Sequence, residues 1–241
     1  MKRFKKIAVI LSVLLAVILA VLGILWYYQS QGMIKIFPTK SEMQAEKILI
    51  IDRTKFTPPE NASPEKVETA IKNLEELKEA ILKDPNKSDL WSEFGYYKDY
   101  LNDLDGAALA YKKALEVGPY NTVPAANLGN LYLYFKNDYE QAEYYYLYVL
   151  EIEKDSNAAY EGLMDLYRYA DGTRTEKYEP LVLRAIKDDS GNKVRYYGQL
   201  VEFFVDKPTQ NLDKAKSYLA EVKKLDQSAA DAITKRFSEL R

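Results

Sequence analysis

One five-residue pattern recurs along this chain at spacings that fit a single period. It reads DLDGA from Asp103, DYEQA from Asp138 and NLDKA from Asn211, so its last alanines are 35 and then 73 residues apart. The second spacing is close to twice the first. Asp or Asn at the first position can cap a helix N-terminus, and Ala at the last lets a neighbouring helix approach closely. A period in the thirties predicts a stack of helical units.

One complete unit runs from Ser88 to Asn121. Its large and small apolar residues fall at positions 4, 7, 8, 20, 24, 27 and 32 of 34 and are Trp91, Phe94, Gly95, Ala107, Tyr111, Ala114 and Pro119. This spacing resembles the tetratricopeptide repeat (TPR), in which a first helix (helix A) and a second helix (helix B) form a hairpin. A second unit begins at Thr122 and has one extra residue before helix B; the same roles fall to Leu128, Gly129, Tyr132, Ala142 and Tyr146.

Weaker units flank these two. A third begins near Asn157, with Tyr178 where a small residue is expected, and a fourth begins near Asn192 and carries Ala215, Leu219 and Val222. Helix B of an incomplete unit precedes them all; its markers are Ser63, Pro64, Leu77, Ala80 and Pro85. Ile233, Phe237 and Leu240 share one helix face and predict a capping helix. The resemblance covers about residues 64–241 and implies an all-α protein, an α-solenoid of about four TPR units plus flanking helices.

The N-terminal segment predicts a single transmembrane helix. Residues 7–28 contain 22 residues without a charge, and a helix of that length is about 33 Å long. A cleaved signal peptide is the alternative, but its apolar region is usually about 7–15 residues long and an Ala-x-Ala-like site follows it. WYYQSQGM follows here instead, and its Trp26, Tyr27 and Tyr28 suit a membrane interface.

Charge on either side of this segment predicts its orientation. Residues 1–6 contain four basic residues, whereas Lys35, Lys40 and Lys47 are dispersed after the span. The positive-inside rule then predicts a single-pass protein of the cell membrane with a cytoplasmic N-terminus and an extracytoplasmic C-terminal domain. A cytoplasmic C-terminal domain is the alternative.

Small residues recur every four positions within the span, at Ala8, Ser12, Ala16 and Ala20. This spacing permits close approach of two helices, and so a homodimer through that face. A lone helix in which Ala and Ser are merely common is the alternative. Residues 29–62 read as a linker, in which Ile48–Ile51 is expected to dock as an extended piece on the repeat domain at 63–241.

Composition excludes several classes of function. The chain has no His and no Cys, which excludes Ser-His-Asp and Cys-His catalysis and zinc or iron–sulfur sites of His and Cys. It has no Gly-rich phosphate loop, and beyond residue 6 its net charge is −6, which does not favour nucleic acid. Turn and capping roles account for the paired carboxylates. We therefore expect no enzyme activity, no cofactor, no metal and no nucleic-acid partner.

The resemblance implies a partner-binding groove lined by helix A at positions 2, 5, 9, 12 and 13 of each unit. The candidates at these positions are Asp89, Ser92, Tyr96, Asp99 and Tyr100, then Val123, Ala126, Asn130, Leu133 and Tyr134, then Ala158, Glu161, Asp165, Arg168 and Tyr169. Tyr100, Tyr134 and Tyr169 share position 13 and could form a ladder of contact rings, although Tyr in such helices can also serve packing. Some family members clamp a C-terminal carboxylate with Lys at position 5, where this chain has Ser92 and Ala126. The acidic groove instead favours a neutral or basic ligand.

These features predict a membrane-anchored TPR scaffold or adaptor for envelope assembly, secretion or protein quality control, with a protein or peptide partner in the concave groove. A second hypothesis is a module that binds a cell-envelope glycan or another non-protein ligand by stacking on Tyr rings. A hydrolase or transferase is the hypothesis with the least support, since no activated nucleophile or base is visible.

Overall fold

The computed structural model describes residues 2–31, 40–170, 172–206 and 209–240. It divides into two compact units, at residues 1–50 and 51–241. Throughout the described residues the regular structure is helical and there is no β-strand. The predicted all-α class is confirmed.

The first unit contains helix α1 (Lys2–Ser30) and helix α2 (Lys40–Ile48). Side chains of α1 are described at residues 14–28 and 30, and the apolar ones are largely exposed, for example Leu19 and Ile24. In the part of the chain that the structure describes, no helix is both apolar enough and long enough to cross a membrane. The span predicted at 7–28 is therefore not supported. The side chains of residues 7–13 lie outside the described ones.

The predicted dimer face falls partly outside the described side chains. Ala8 and Ser12 are outside them, whereas Ala16 and Ala20 are exposed on α1. The dimer stays a prediction.

The segment Ile48–Ile51, which was expected to be extended, begins at the end of a helix, because Ile48 is the last residue of α2. Ile48 and Leu49 are both buried.

The second compact unit, at residues 51–241, is a run of helices in which each packs on the next. After a short 3₁₀ turn at Arg53–Lys55 the helices are α3 (Pro64–Lys83), α4 (Ser88–Tyr100), α5 (Leu104–Val117), α6 (Thr122–Asn130), α7 (Tyr139–Ile152), α8 (Asn157–Asp165), α9 (Tyr178–Asp188), α10 (Lys193–Val205), α11 (Leu212–Leu225) and α12 (Gln227–Arg236). Helices α6 and α8 continue as π-helical segments at Leu131–Lys136 and Leu166–Ala170. Because neighbouring hairpins bury one another's apolar faces, the core is a line of contacts along the stack. The predicted helical solenoid is confirmed.

The recurring five-residue pattern caps helices as expected. The side chains of Asp103, Asp138 and Asn211 each accept a hydrogen bond of 3.1 Å from the backbone N–H three residues later. Ser63 does the same for α3, at 3.3 Å from Lys66 N. The alanine that ends each pattern, at 107, 142 and 215, is fully buried. Capping and close helix approach are therefore both properties of this pattern.

The extra residue of the second repeat unit, which begins at Thr122, is accommodated inside helix A. Asn102 and Asn137 are the two non-glycine residues described with positive φ, and each immediately precedes a capping Asp. Gly95 lies seven residues before the first of these turns, and Gly129 lies eight before the second. A π-helical turn holds one more residue than an α-helical turn, so the segment at Leu131–Lys136 absorbs the difference.

This insertion changes which residues of helix A are buried. Counted back from the turn, Leu133 is equivalent to Lys98, and both are buried, at 6% and 3% exposure. Leu133 therefore lies in the core and does not line a groove, which corrects the expectation from position 12. The physical reason is that the π-helical turn rotates the end of helix A relative to a regular unit. Lys98 is buried because its Nζ lies 2.6 Å from Asp103 Oδ2.

The third repeat unit, which matches the repeat pattern less well, contains aromatic stacking in its core. Tyr178, which stands where a small residue was expected, is buried, and its ring stacks on Phe203 of α10 with centroids 4.3 Å apart. At the end of the stack α12 packs on α11, and Leu240 is buried while Ile233 and Phe237 pack against the core.

Candidate functional site

Three surface cavities meet at Tyr96 on α4, whose side chain is 55% exposed. They have volumes of about 440, 470 and 290 Å³. We call the surface formed by these three cavities the Tyr96 surface. It lies on helices α3, α4 and α6, and it includes the helix A faces of the first two complete units.

The first cavity, which we call the Asp99 pocket, has a carboxylate among aromatic rings. Its lining residues are Thr57, Pro59, Tyr96, Asp99, Tyr100, Asn102 and Phe135. The wall at Thr57 is held in place by two hydrogen bonds to the end of α4. Thr57 N donates to Leu101 O at 3.0 Å, and Asn102 Nδ2 donates to Thr57 Oγ1 at 2.7 Å.

Asp99 is a half-buried carboxylate without a cationic partner among the described residues. Burial raises the pKa of its carboxyl group, because desolvation penalises the charged form. The phenol of Tyr111 lies behind it, fully buried, and burial likewise raises the pKa of that phenol. The Tyr111 phenol partly offsets the rise in the pKa of Asp99, but burial is the larger cause.

The other two cavities extend the surface to either side. One lies between α4 and α6 and is lined by Asp89, Ser92, Glu93, Tyr96, Asn121, Val123 and Asn127. Asn121 Nδ2 donates to Ser88 Oγ and to Asp89 Oδ1, both at 2.9 Å, which joins the two units at this cavity. The other lies between α3 and α4 and is lined by Ser63, Glu65, Lys66, Thr69, Ala70, Asn73, Tyr96, Tyr97 and Tyr100.

The three tyrosines at position 13 do not line one cavity. Tyr100 lines two cavities of the Tyr96 surface, whereas Tyr134 and Tyr169 line none of the three. Tyr134 is half-exposed, and its phenol donates a 2.6 Å hydrogen bond to Asp165 Oδ2 of the next unit. Tyr169 is exposed, and the guanidinium of Arg168 lies 5.0 Å from its ring centroid.

Most of the other candidates are occupied by contacts within the stack. Asn130 Oδ1 accepts a 2.7 Å hydrogen bond from the Tyr146 phenol, and Arg168 pairs with Asp206. Position 5 holds Ser92, which is buried, and Ala126, which is half-buried, and neither side chain carries a charge. The candidates that the structure brings together on the Tyr96 surface are Asp89, Ser92, Tyr96, Asp99, Tyr100 and Val123.

Phe135 is the aromatic residue of the pocket that position counting missed. It is 56% exposed and faces the Asp99 pocket. Phe135 precedes Asn137 by two residues, as Tyr100 precedes Asn102. Counting forward from Thr122 aligns Tyr134 with Tyr100, whereas counting back from the turn aligns Phe135 with it. The extra residue before helix B was the signal.

Several of the remaining tyrosines donate a hydrogen bond to a distant carboxylate. Tyr167 donates to Glu143 and Tyr218 donates to Glu179, both at 2.6 Å and both across to a neighbouring hairpin. Tyr160 donates to Asp188 at 2.9 Å within the third repeat unit. In each case the phenol is buried or half-buried and its pKa is raised, first by burial. Part of the Tyr content therefore serves hydrogen bonds within and between repeat units. Among the described residues, no group of three or more carboxylates is placed to hold a metal ion.

Comparison with known proteins gives a structural likeness alone. No family model matches the chain, and no curated protein matches it. Among solved structures, it is similar to the crystal structure of YrrB, described as a TPR protein with an unusual peptide-binding site. The match has 20% sequence identity and a TM-score of 0.48, and covers 68% of this chain and 84% of that one. A likeness at this level carries no functional argument.

Proposed function

We propose that this chain is a repeat scaffold that binds an extended segment of a partner protein along the Tyr96 surface. The observation that carries the proposal is the meeting of three cavities at one exposed tyrosine. An extended peptide projects alternate side chains to one face, so adjoining cavities can each receive one. A tyrosine between them offers a large contact area at low entropy cost and a polar tip for the peptide backbone.

The charge of the surface supports a neutral or basic segment. Asp89, Glu93 and Asp99 line its cavities, together with Glu65 and Lys66. Asp89 is exposed and accepts a hydrogen bond only from a neutral amide among the described residues. Electrostatic complementarity of this kind favours encounter with a basic partner and disfavours an acidic one.

The N-terminal segment supports a further element of the proposal, that residues 7–28 anchor the scaffold in the cell membrane. The basis is the sequence, which has 22 consecutive uncharged residues preceded by four basic ones. In this arrangement residues 63–241 act outside the cytoplasm, in envelope assembly, secretion or quality control. Alkaline extraction of membranes and protease accessibility of the C-terminal domain in intact cells test it. A protein released by alkali would overturn the anchor.

Photo-crosslinking tests the binding surface and names the ligand class. A photoreactive phenylalanine analogue in place of Tyr96 in the full chain is expected to yield a discrete crosslinked protein. The same analogue at Tyr120, which is 83% exposed and lines none of the three cavities, is the matched control. Equal yields at both positions would contradict the proposal. An adduct that is removed by a glycan hydrolase and survives a protease would favour the competing hypothesis of a glycan ligand.

A further inference from the structure

We propose that the Asp99 pocket binds an arginine side chain of the partner segment. This inference rests on the proposed function and deepens it, because it assigns one cavity of the Tyr96 surface to one chemical group. The geometry points to a guanidinium because the pocket combines a carboxylate with three aromatic rings, those of Tyr96, Tyr100 and Phe135.

The rings suit a flat cation. Tyr96 and Phe135 are each more than half exposed, so their faces are not used up by packing in the core. A guanidinium stacks on aromatic faces by cation–π attraction and can also donate two parallel hydrogen bonds to a carboxylate. A neutral apolar side chain would fill the same space and would leave Asp99 desolvated without a cationic partner.

The carboxylate has no cation of its own within the described residues. Two lysines are sequence neighbours of pocket residues: Lys98 precedes Asp99, and Lys136 follows Phe135. Both already have acidic partners, since Lys98 pairs with Asp103 and Lys136 pairs with Asp105. Behind Asp99 lies the phenol of Tyr111, which is buried and carries no positive charge to pair with the carboxylate. A half-buried carboxylate in such a site is stabilised when a cation arrives from outside.

The walls are built before any ligand binds. Segment 57–59 is tied to the end of α4 by the hydrogen bonds of Thr57, and Asn102 is set in the left-handed conformation that turns the chain there. Phe135 reaches the pocket because the π-helical segment carries one extra residue. Pockets with walls held in this way lose little entropy when they bind.

The test is a titration of the isotope-labelled full chain, in detergent, with N-acetyl-arginine methylamide, followed by NMR. We expect the amide signals of residues 57, 99 and 102 to shift. The probe with citrulline in place of arginine has the same shape without the charge, and its affinity should be at least about fivefold lower. Equal affinities for the two probes would overturn the inference.

Two variants locate the effect. Asp99→Asn keeps the size of the side chain and should remove the preference for arginine over citrulline. Asp155→Asn, at an exposed aspartate that lines none of the three cavities, should preserve it. Circular dichroism checks that both variants are folded. A preference that survives Asp99→Asn, or that Asp155→Asn abolishes equally, would also overturn the inference.

These outcomes are separable from those of the crosslinking experiment. A specific adduct at position 96 with no arginine preference leaves the scaffold proposal standing and removes the arginine pocket. An arginine preference without any adduct at position 96 leaves the pocket standing and removes the extended binding surface.

Discussion

Gly129 on α6 lies directly against the ring of Tyr146 on α7. A methyl group placed at Gly129 would be 2.6 Å from Tyr146 Cε1, closer than packed atoms can approach. Gly95 and Tyr111 form the same contact one unit earlier, where the corresponding distance is 2.7 Å. The absence of a side chain at position 8 thus decides how closely helices A and B approach in both units.

Gly129→Ala should therefore destabilise the repeat stack. The added methyl group overpacks a rigid contact, and we expect a loss of about 1–3 kcal/mol in the free energy of unfolding. Urea denaturation followed by circular dichroism measures it. Gly198→Ala on α10 is the matched control, because its nearest neighbour, Ile233 Cδ1, is 3.6 Å away. That variant should be neutral or stabilising by up to about 1 kcal/mol, since Ala favours helix over Gly. Equal losses in the two variants would contradict the packing argument.

Asp103 should contribute more to stability than its counterpart one unit later. Both Asp103 and Asp138 cap a helix, but only Asp103 also forms a buried ion pair with Lys98. Asp103→Ala removes the carboxylate from a buried ion pair and should cost about 3–5 kcal/mol. Asp138→Ala removes a cap alone and should cost about 1 kcal/mol. The comparison uses urea midpoints of the two variants, and similar costs would mean that the ion pair adds nothing.

Asp99 should make the protein less stable as the pH rises. Burial raises the pKa of its carboxyl group in the folded state above the unfolded value of 3.8, so the folded state binds the proton more tightly. Stability from this group is full at low pH and declines as the pH rises from the unfolded pKa through the folded one. Asp99→Asn should remove this decline and gain stability relative to the natural chain as the pH increases. Urea midpoints measured across the acidic range check this.

Glu143 provides the control of opposite sign for that measurement. Burial opposes its ionisation, but hydrogen bonds from Lys177 and Tyr167 together with nearby cations lower its pKa overall. Its contribution is present above the unfolded pKa and is lost as the pH falls through the folded pKa. Glu143→Gln should therefore lose stability at neutral pH and little in acid. Parallel pH profiles for Asp99→Asn and Glu143→Gln would refute both assignments.

Tyr167→Phe should weaken the contact between the second and third units. The buried phenol donates to Glu143 at 2.6 Å, and the loss of a hydrogen bond to a charged group should cost about 1.5–3 kcal/mol. Tyr169→Phe, two residues away, removes an exposed phenol that makes no hydrogen bond in the described residues, and should change stability by less than about 0.5 kcal/mol. Thermal denaturation of both variants tests the difference, and an unchanged melting temperature for Tyr167→Phe would exclude the proposed role.

The repeat stack could be predicted because its determinants are local. Gly95 and Tyr111, or Asp103 and Ala107, belong to one hairpin, so their spacing along the chain reports their contact. Position counting located Tyr96, Asp99 and Tyr100 on one surface for the same reason. It failed at Leu133, which is buried, and it missed Phe135, because the extra residue could have been placed in the turn or in the helix.

The amino-acid sequence by itself determined the helical hairpins, their caps and their order, because each unit contacts its neighbours and the pattern that specifies those contacts lies within about one repeat length. Only the tertiary structure decided where the extra residue is absorbed, and hence that Phe135 faces Asp99 while Leu133 enters the core. It also decided which phenols are engaged by carboxylates of another hairpin and which remain exposed. Those choices depend on partners 24–39 residues away, as for Tyr167 and Tyr218, and no local pattern specifies them.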